Sequence, residues 1–175
     1  LSYHITHTGI TPILAKVQGI QSIQEPKTRK ELRGFIGMIN FYRNMCEDRA
    51  ALLAPLIALT SKNVPFKWTD ELQKRFDTIN RVIGREVLLA YPDFNAPFHN
   101  HTNASKNQIG AVISQNQKPI AFYSRKMNSA PQNYTTTEKE LLSIIATLKE
   151  FRNILLGQQI TVFTDHKNLT FKIFN

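Results

Sequence analysis

Residues 98–124 read FHNHTNASKNQIGAVISQNQKPIAFYS, and this stretch decides the fold. Phe98 to Thr102 predicts one strand, Ile109 to Gln115 a second and Pro119 to Ser124 a third. Asn116-Gln117 leaves room only for a tight connection between the last two, so the three strands form an antiparallel meander. Further on, Thr135 or Thr137 opens a long helix running to about Leu156, with Gly157 as its C′ stop. Leu141, Ile144, Ile145, Leu148, Phe151 and Leu155 make its expected buried stripe. Gln159 to Thr164 reads as another strand, with Asp165 as the N-cap of a short helix after it. Strands followed by a long helix and a further strand predict a mixed α/β arrangement for residues 91–175.

Upstream the pattern is different. Leu1 to Thr6 is extended in character, Thr8-Gly9 reads as a turn, and Ile10 to Ile13 is a second short strand. Ala15 to Ile23 has near-helical spacing and stops before Pro26. Thr28-Arg29-Lys30-Glu31 is a capping box that opens a helix carrying Leu32, Phe35, Ile36, Ile39 and Tyr42. A helix over Asp48 to Thr60 has Pro55 as its weak point. Another runs from Thr69 to about Arg85, with Leu72, Phe76, Ile79 and Ile83 on one stripe and Trp68 stapling its start. The expected fold class is therefore α/β overall: a helical segment over residues 1–90, then a mixed sheet with a long helix over residues 91–175.

The chain has 175 residues and a formal net charge of +9. Residues 1–90 hold 13 Lys/Arg against 8 Asp/Glu, and residues 91–175 hold 9 against 5. The positive charge is thus spread over both halves, which suits a polyanion such as nucleic acid. Cys46 is the single cysteine, which excludes an internal disulfide and a cysteine-based zinc site and fits a reducing compartment. No apolar run reaches the ~18 residues of a membrane span, and the N-terminus has no secretory pattern. The expected location is intracellular, in a cytoplasmic particle or the nucleus, with no membrane partner.

Three polar clusters stand at element ends. His101-Thr102-Asn103-Ala104-Ser105 ends the first strand of the meander, Thr137-Glu138-Lys139-Glu140-Leu141 opens the long helix, and Thr164-Asp165-His166 ends the last strand. Polar groups at the ends of buried strands converge on one sheet edge. A two-metal nuclease needs hard oxygen ligands at such an edge, because magnesium prefers carboxylates and water. Each residue also has a plainer reading. Glu138 completes a capping box with Thr135, and Glu140 does the same with Thr137. Asp165 is an N-cap, and Asn103 an ordinary turn residue. Periodicity does not choose between the two glutamates.

Taken together, these segments resemble the polymerase of gypsy-type long-terminal-repeat retrotransposons. Leu1-Ser2-Tyr3-His4-Ile5-Thr6 is similar to the strand near the primer grip. Lys30-Glu31-Leu32-Arg33-Gly34-Phe35-Ile36-Gly37-Met38 and Asn40-Phe41-Tyr42-Arg43 are similar to a thumb helix, continued by Pro55-Leu56, Leu59-Thr60 and Phe66-Lys67-Trp68-Thr69. Pro119 to Lys126, Asn133-Tyr134-Thr135, Glu138 to Leu142 and Thr164-Asp165-His166-Lys167 are similar to a ribonuclease H domain. The resemblance implies the end of a reverse transcriptase over residues 1–90 and a ribonuclease H-like domain over 91–175 that continues beyond Asn175. It implies a Pol polyprotein around the chain and an RNA–DNA hybrid or primer–template duplex as partner. Lys27, Arg29, Lys30, Arg33 and Arg43 become the candidate phosphate contacts.

The resemblance also implies a two-magnesium site for hydrolysis of RNA in RNA–DNA hybrids, with ligands at Asn103, Glu140 and Asp165. The family has aspartate where this chain has Asn103. A neutral amide is a poor bridge between two magnesium ions, so cleavage is expected to be lost. Asn100, where the family has an aliphatic residue, shares a strand face with Thr102. Buried there without partners, its amide costs about 1–3 kcal/mol. Three functions compete: a reverse-transcriptase-associated ribonuclease H, a catalytically dead binding or scaffold module recruited by a host, and a decayed element copy.

Overall fold

The computed structural model describes residues 3–84, 88–128, 131, 133–166 and 169. The chain divides into two compact units, Leu1–Leu89 and Ala90–Asn175.

In the first unit, β1 (Tyr3–Ile5) and β2 (Ile10–Pro12) pair as a short antiparallel hairpin. Ile10 exchanges two backbone hydrogen bonds with Leu89. This close approach requires Gly9, where a Cβ would meet the Leu89 carbonyl oxygen at 2.2 Å. Four helices follow: α1 (Leu14–Gln21), α2 (Arg29–Phe41), α3 (Arg49–Leu59) and α4 (Asp70–Ile83). The Thr28 hydroxyl accepts the Glu31 N–H as the box predicts. The Glu31 carboxylate, however, accepts from the Lys27 N–H at 2.8 Å, one residue further out. α3 runs through Pro55 without a break. Trp68 meets Phe76 edge-on and donates its indole N–H to Gln73, fixing the start of α4. Leu32, Phe35 and Ile39 of α2, Leu53 and Leu56 of α3 and Ile79 of α4 are fully buried. This is the ordinary burial of apolar helix stripes.

In the second unit, β3 (Phe98–Ala104), β4 (Gln108–Gln115) and β5 (Lys118–Lys126) form the expected antiparallel meander. Asn116 and Gln117 both have positive φ, 49° and 61°, the backbone that a two-residue hairpin loop requires. Gln115 is buried and binds the backbone of Asp93 and Ala96, which locks the turn leading into β3. The chain then passes through α5 (Thr136–Glu150) and a short α6 (Arg152–Leu155) into β6 (Ile160–Phe163). β6 lies parallel to β3, so the sheet order is β5-β4-β3-β6. The expected single helix to Leu156 is broken at Phe151, and Gly157, with φ of 78°, stops the second piece.

The face that α5 buries corrects the sequence reading. Leu141 and Ile145 are 45% and 41% exposed, while Glu140, Ser143, Ala146 and Thr147 are buried. Small side chains let the helix lie close to β3 and β4. Ser143 donates to the carbonyl of Gly110, and Thr147 to that of Ser143. Polar groups packed this way are stable only when bonded, and these two are.

Candidate functional site

β3, α5 and β6 bring the three polar clusters to one end of the sheet. Phe98 and Asn100 are buried beneath the helices, and Thr102 reaches the Glu140 carboxylate. The helix-facing residues of β3 are thus the even-numbered ones, and alternation places His99, His101 and Asn103 on the other face.

Glu138 and Glu140 separate clearly. Glu138 is exposed and completes a capping box with Thr135, accepting from both its N–H and its hydroxyl. Those bonds hold its carboxyl below the usual carboxylate range, the backbone N–H contributing most. Glu140 does not cap. It is 2% exposed, and its carboxylate accepts the Ala104 N–H at 2.8 Å and lies 3.5 Å from the Thr102 hydroxyl. The partner expected for it, Thr137, instead contacts the His166 ring at 3.2 Å. That contact ties the start of α5 to the end of β6. His166 also takes the Thr164 hydroxyl with its backbone N–H.

Asn103 is exposed near the end of β3, opposite Gly110 in register. Its carbonyl lies 3.5 Å from the Ser143 hydroxyl. Asp165 is exposed just past β6. The short helix expected after it falls mostly outside the described residues. The Glu140 carboxylate engages the residues on either side of Asn103, not the Asn103 amide. This donor set does not fit a pair of magnesium ions. It offers two carboxylates, one of them taken up by backbone and hydroxyl donors, and at Asn103 only a neutral amide on the opposite strand face. Among the described residues, no three His, Cys, Asp or Glu side chains converge on a metal position.

Asn100, where the resemblance implies an aliphatic residue, has a clear structural consequence. It is fully buried between Ile113 and Val162, and neither atom of its amide has a hydrogen-bond partner among the described residues. Sequence reasoning missed Ser143 and Thr147. Their only signal was two small hydroxyl residues, at the third and seventh positions after Glu140, inside an apolar helix.

The candidate phosphate contacts lie in the first unit. Lys27, Lys30, Arg33 and Arg43 are exposed and Arg29 is half-buried. Two guanidiniums are already engaged: Arg29 donates to the Val64 carbonyl and Arg33 to that of Thr60. Arg33 thus sits at the carbonyl end of α3, where cations are favoured, and Arg29 holds the loop that follows it. Gly34, Gly37, Met38 and Phe41 share an exposed α2 face with Lys30. A Cβ at either glycine would meet nothing within 4 Å.

Comparison with known proteins agrees with this architecture. The profile of the RNase H-like domain found in reverse transcriptase matches residues 68–162. The retrovirus-related Pol polyprotein from transposon opus of Drosophila melanogaster is 37% identical across all of this chain, which spans 19% of that polyprotein. A foamy viral protease–reverse transcriptase solved with double-stranded DNA superposes with a TM-score of 0.82 at 28% identity, over 97% of this chain and 31% of that one. A foamy viral protease–reverse transcriptase solved with RNA/DNA hybrid gives 0.81 at 28% identity, over 97% of this chain and 24% of that one. With its four-stranded mixed sheet, its helix laid across β3 and β4, and this match over more than half its length, the chain belongs to the family of RNase H-like domains found in reverse transcriptase.

Proposed function

We propose that this chain is the part of a retrotransposon Pol polyprotein that holds an RNA–DNA hybrid or primer–template duplex, and that it does not cut the RNA strand. The observation that carries the proposal is the donor set at the sheet end. Glu140 is anchored to the Ala104 N–H beside a position, Asn103, that has no charge. Glu140 and Asp165 keep the places of magnesium ligands, and the missing third carboxylate removes the bridge that two-metal hydrolysis needs. Residues 1–90 then serve as the end of the polymerase, with its primer-grip strand and thumb, and residues 91–175 as the ribonuclease H-like part.

Two features support the holding role. The charge is net positive on both halves. The α2 face is lined by two glycines that no contact among the described residues explains, although each costs about 1 kcal/mol relative to alanine inside a helix. The two glycines leave a gap between Lys30, Met38 and Phe41 where another backbone, a phosphodiester included, can approach closely. The foamy viral relatives were solved with double-stranded DNA and with hybrid, which makes these the first ligands to try. Each phosphate-contacting cation adds about 0.9 to the slope of log K against log salt. With Arg29 and Arg33 engaged, Lys27 and Lys30 carry the larger share. Their joint replacement by alanine should lower that slope by about two for a short hybrid. An affinity that does not change with salt would defeat the holding role, and cleavage by the unmodified chain would defeat the loss of activity.

A further inference from the structure

The sheet face opposite α5 carries two histidines that have no part in the proposed function. His99, His101 and Asn103 alternate onto this face. The His101 ring stacks on Phe163 at 4.4 Å and 9°, in register with it across the β3–β6 pair. The His99 ring stands nearly perpendicular to both, 5.4 Å from Phe163 and 6.4 Å from His101. Among the described residues neither imidazole has a hydrogen-bond partner, and His101 is exposed. Two imidazoles two residues apart on a strand, oriented by a phenyl ring that offers no donor, are left with their nitrogens unused.

We propose that His99 and His101 form a two-imidazole site for a transition-metal dication such as Ni2+, Cu2+ or Zn2+. With metal–imidazole bonds of about 2.0–2.1 Å, two rings on one ion have centroids about 6.4 Å apart when trans and about 5 Å apart when tetrahedral. The observed 6.4 Å equals the trans spacing, and side-chain rotation that turns both ring nitrogens toward one point completes the pair. Imidazole selects these metals over magnesium, and divalent affinity rises toward copper along the first-row series. Water fills the remaining positions, and Thr161, the register partner of His99, shares this face on the adjoining strand. The site differs in donor chemistry from the carboxylate set of Glu140 and Asp165 and does not depend on how that set behaves.

Titration of NiCl2 into the full 15N-labelled chain tests this directly. Paramagnetic broadening should centre on residues 98–102 and Phe163, with one ion bound there per chain, and MgCl2 should leave those signals in place. H99A and H101A should each weaken Ni2+ binding at least tenfold by calorimetry. H99Q and H101Q do the same while keeping side-chain volume, should an alanine variant fold poorly. A variant lacking His4 and His7 should bind Ni2+ like the parent. Broadening centred on His4, His7 or His166, or unchanged affinity in the H99Q/H101Q chain, would overturn the site.

Discussion

α2 and α5 are the two longest amphipathic readings in the sequence outside α4, and they bury opposite kinds of surface. α2 packs among helices and buries Leu32, Phe35, Ile36 and Ile39. α5 lies on a sheet and buries Glu140, Ser143, Ala146 and Thr147, leaving Leu141 and Ile145 largely exposed. A helix among helices is positioned by its bulk. A helix on a sheet close to a site is positioned by small residues that permit approach and by polar groups that bond to strand edges. Apolar periodicity therefore located both helices, but identified the buried face of only one.

The largest test of this contrast is truncation on each helix. Phe35→Ala in α2 should cost about 3–5 kcal/mol, whereas Ile145→Ala in α5 should stay near 0.5 kcal/mol, both read from urea unfolding. Equal losses would mean that α5 packs through its apolar stripe after all. The next effect has the opposite sign. Asn100→Val removes a buried amide that has no partner among the described residues and should raise stability by about 1–3 kcal/mol. A loss there would show that the amide is satisfied in solution. On α2, Gly37→Ala has open space for its methyl and should add about 0.5–1 kcal/mol.

The smallest effect concerns Glu138. Its cap bonds hold its folded-state carboxyl below the ordinary range. That contribution is present above the ordinary carboxylate pKa and is lost as the pH falls through the depressed value. The difference in melting temperature between the parent and Glu138→Gln should therefore be widest near neutrality and close in strong acid. A difference that persisted unchanged at low pH would contradict the cap.

The legible part of the fold was the part governed by local chemistry. Thr28, Thr69 and Thr135 cap helices because hydroxyls satisfy free N–H groups at helix starts. Asn116-Gln117 turned the hairpin, and Gly157 stopped the helix that precedes β6. What stayed hidden depended on contacts distant in sequence. Gln115 locks a turn some twenty residues upstream, Ser143 bonds across to Gly110, and Thr137 reaches His166. At the site, sequence spacing left Glu138 and Glu140 equivalent. Only the fold separates them, because it brings the Ala104 N–H to Glu140 and leaves Glu138 to its cap.

In the proposed reading the family fold persists here without the charge that cleavage needs at position 103. A hybrid cleavage assay in magnesium, run on the chain as it stands beside Asn103→Asp, tests it most directly. An uncut RNA strand is expected for the chain as it stands, with any gain of cutting confined to Asn103→Asp. Robust magnesium-dependent cutting by the unmodified chain would contradict it.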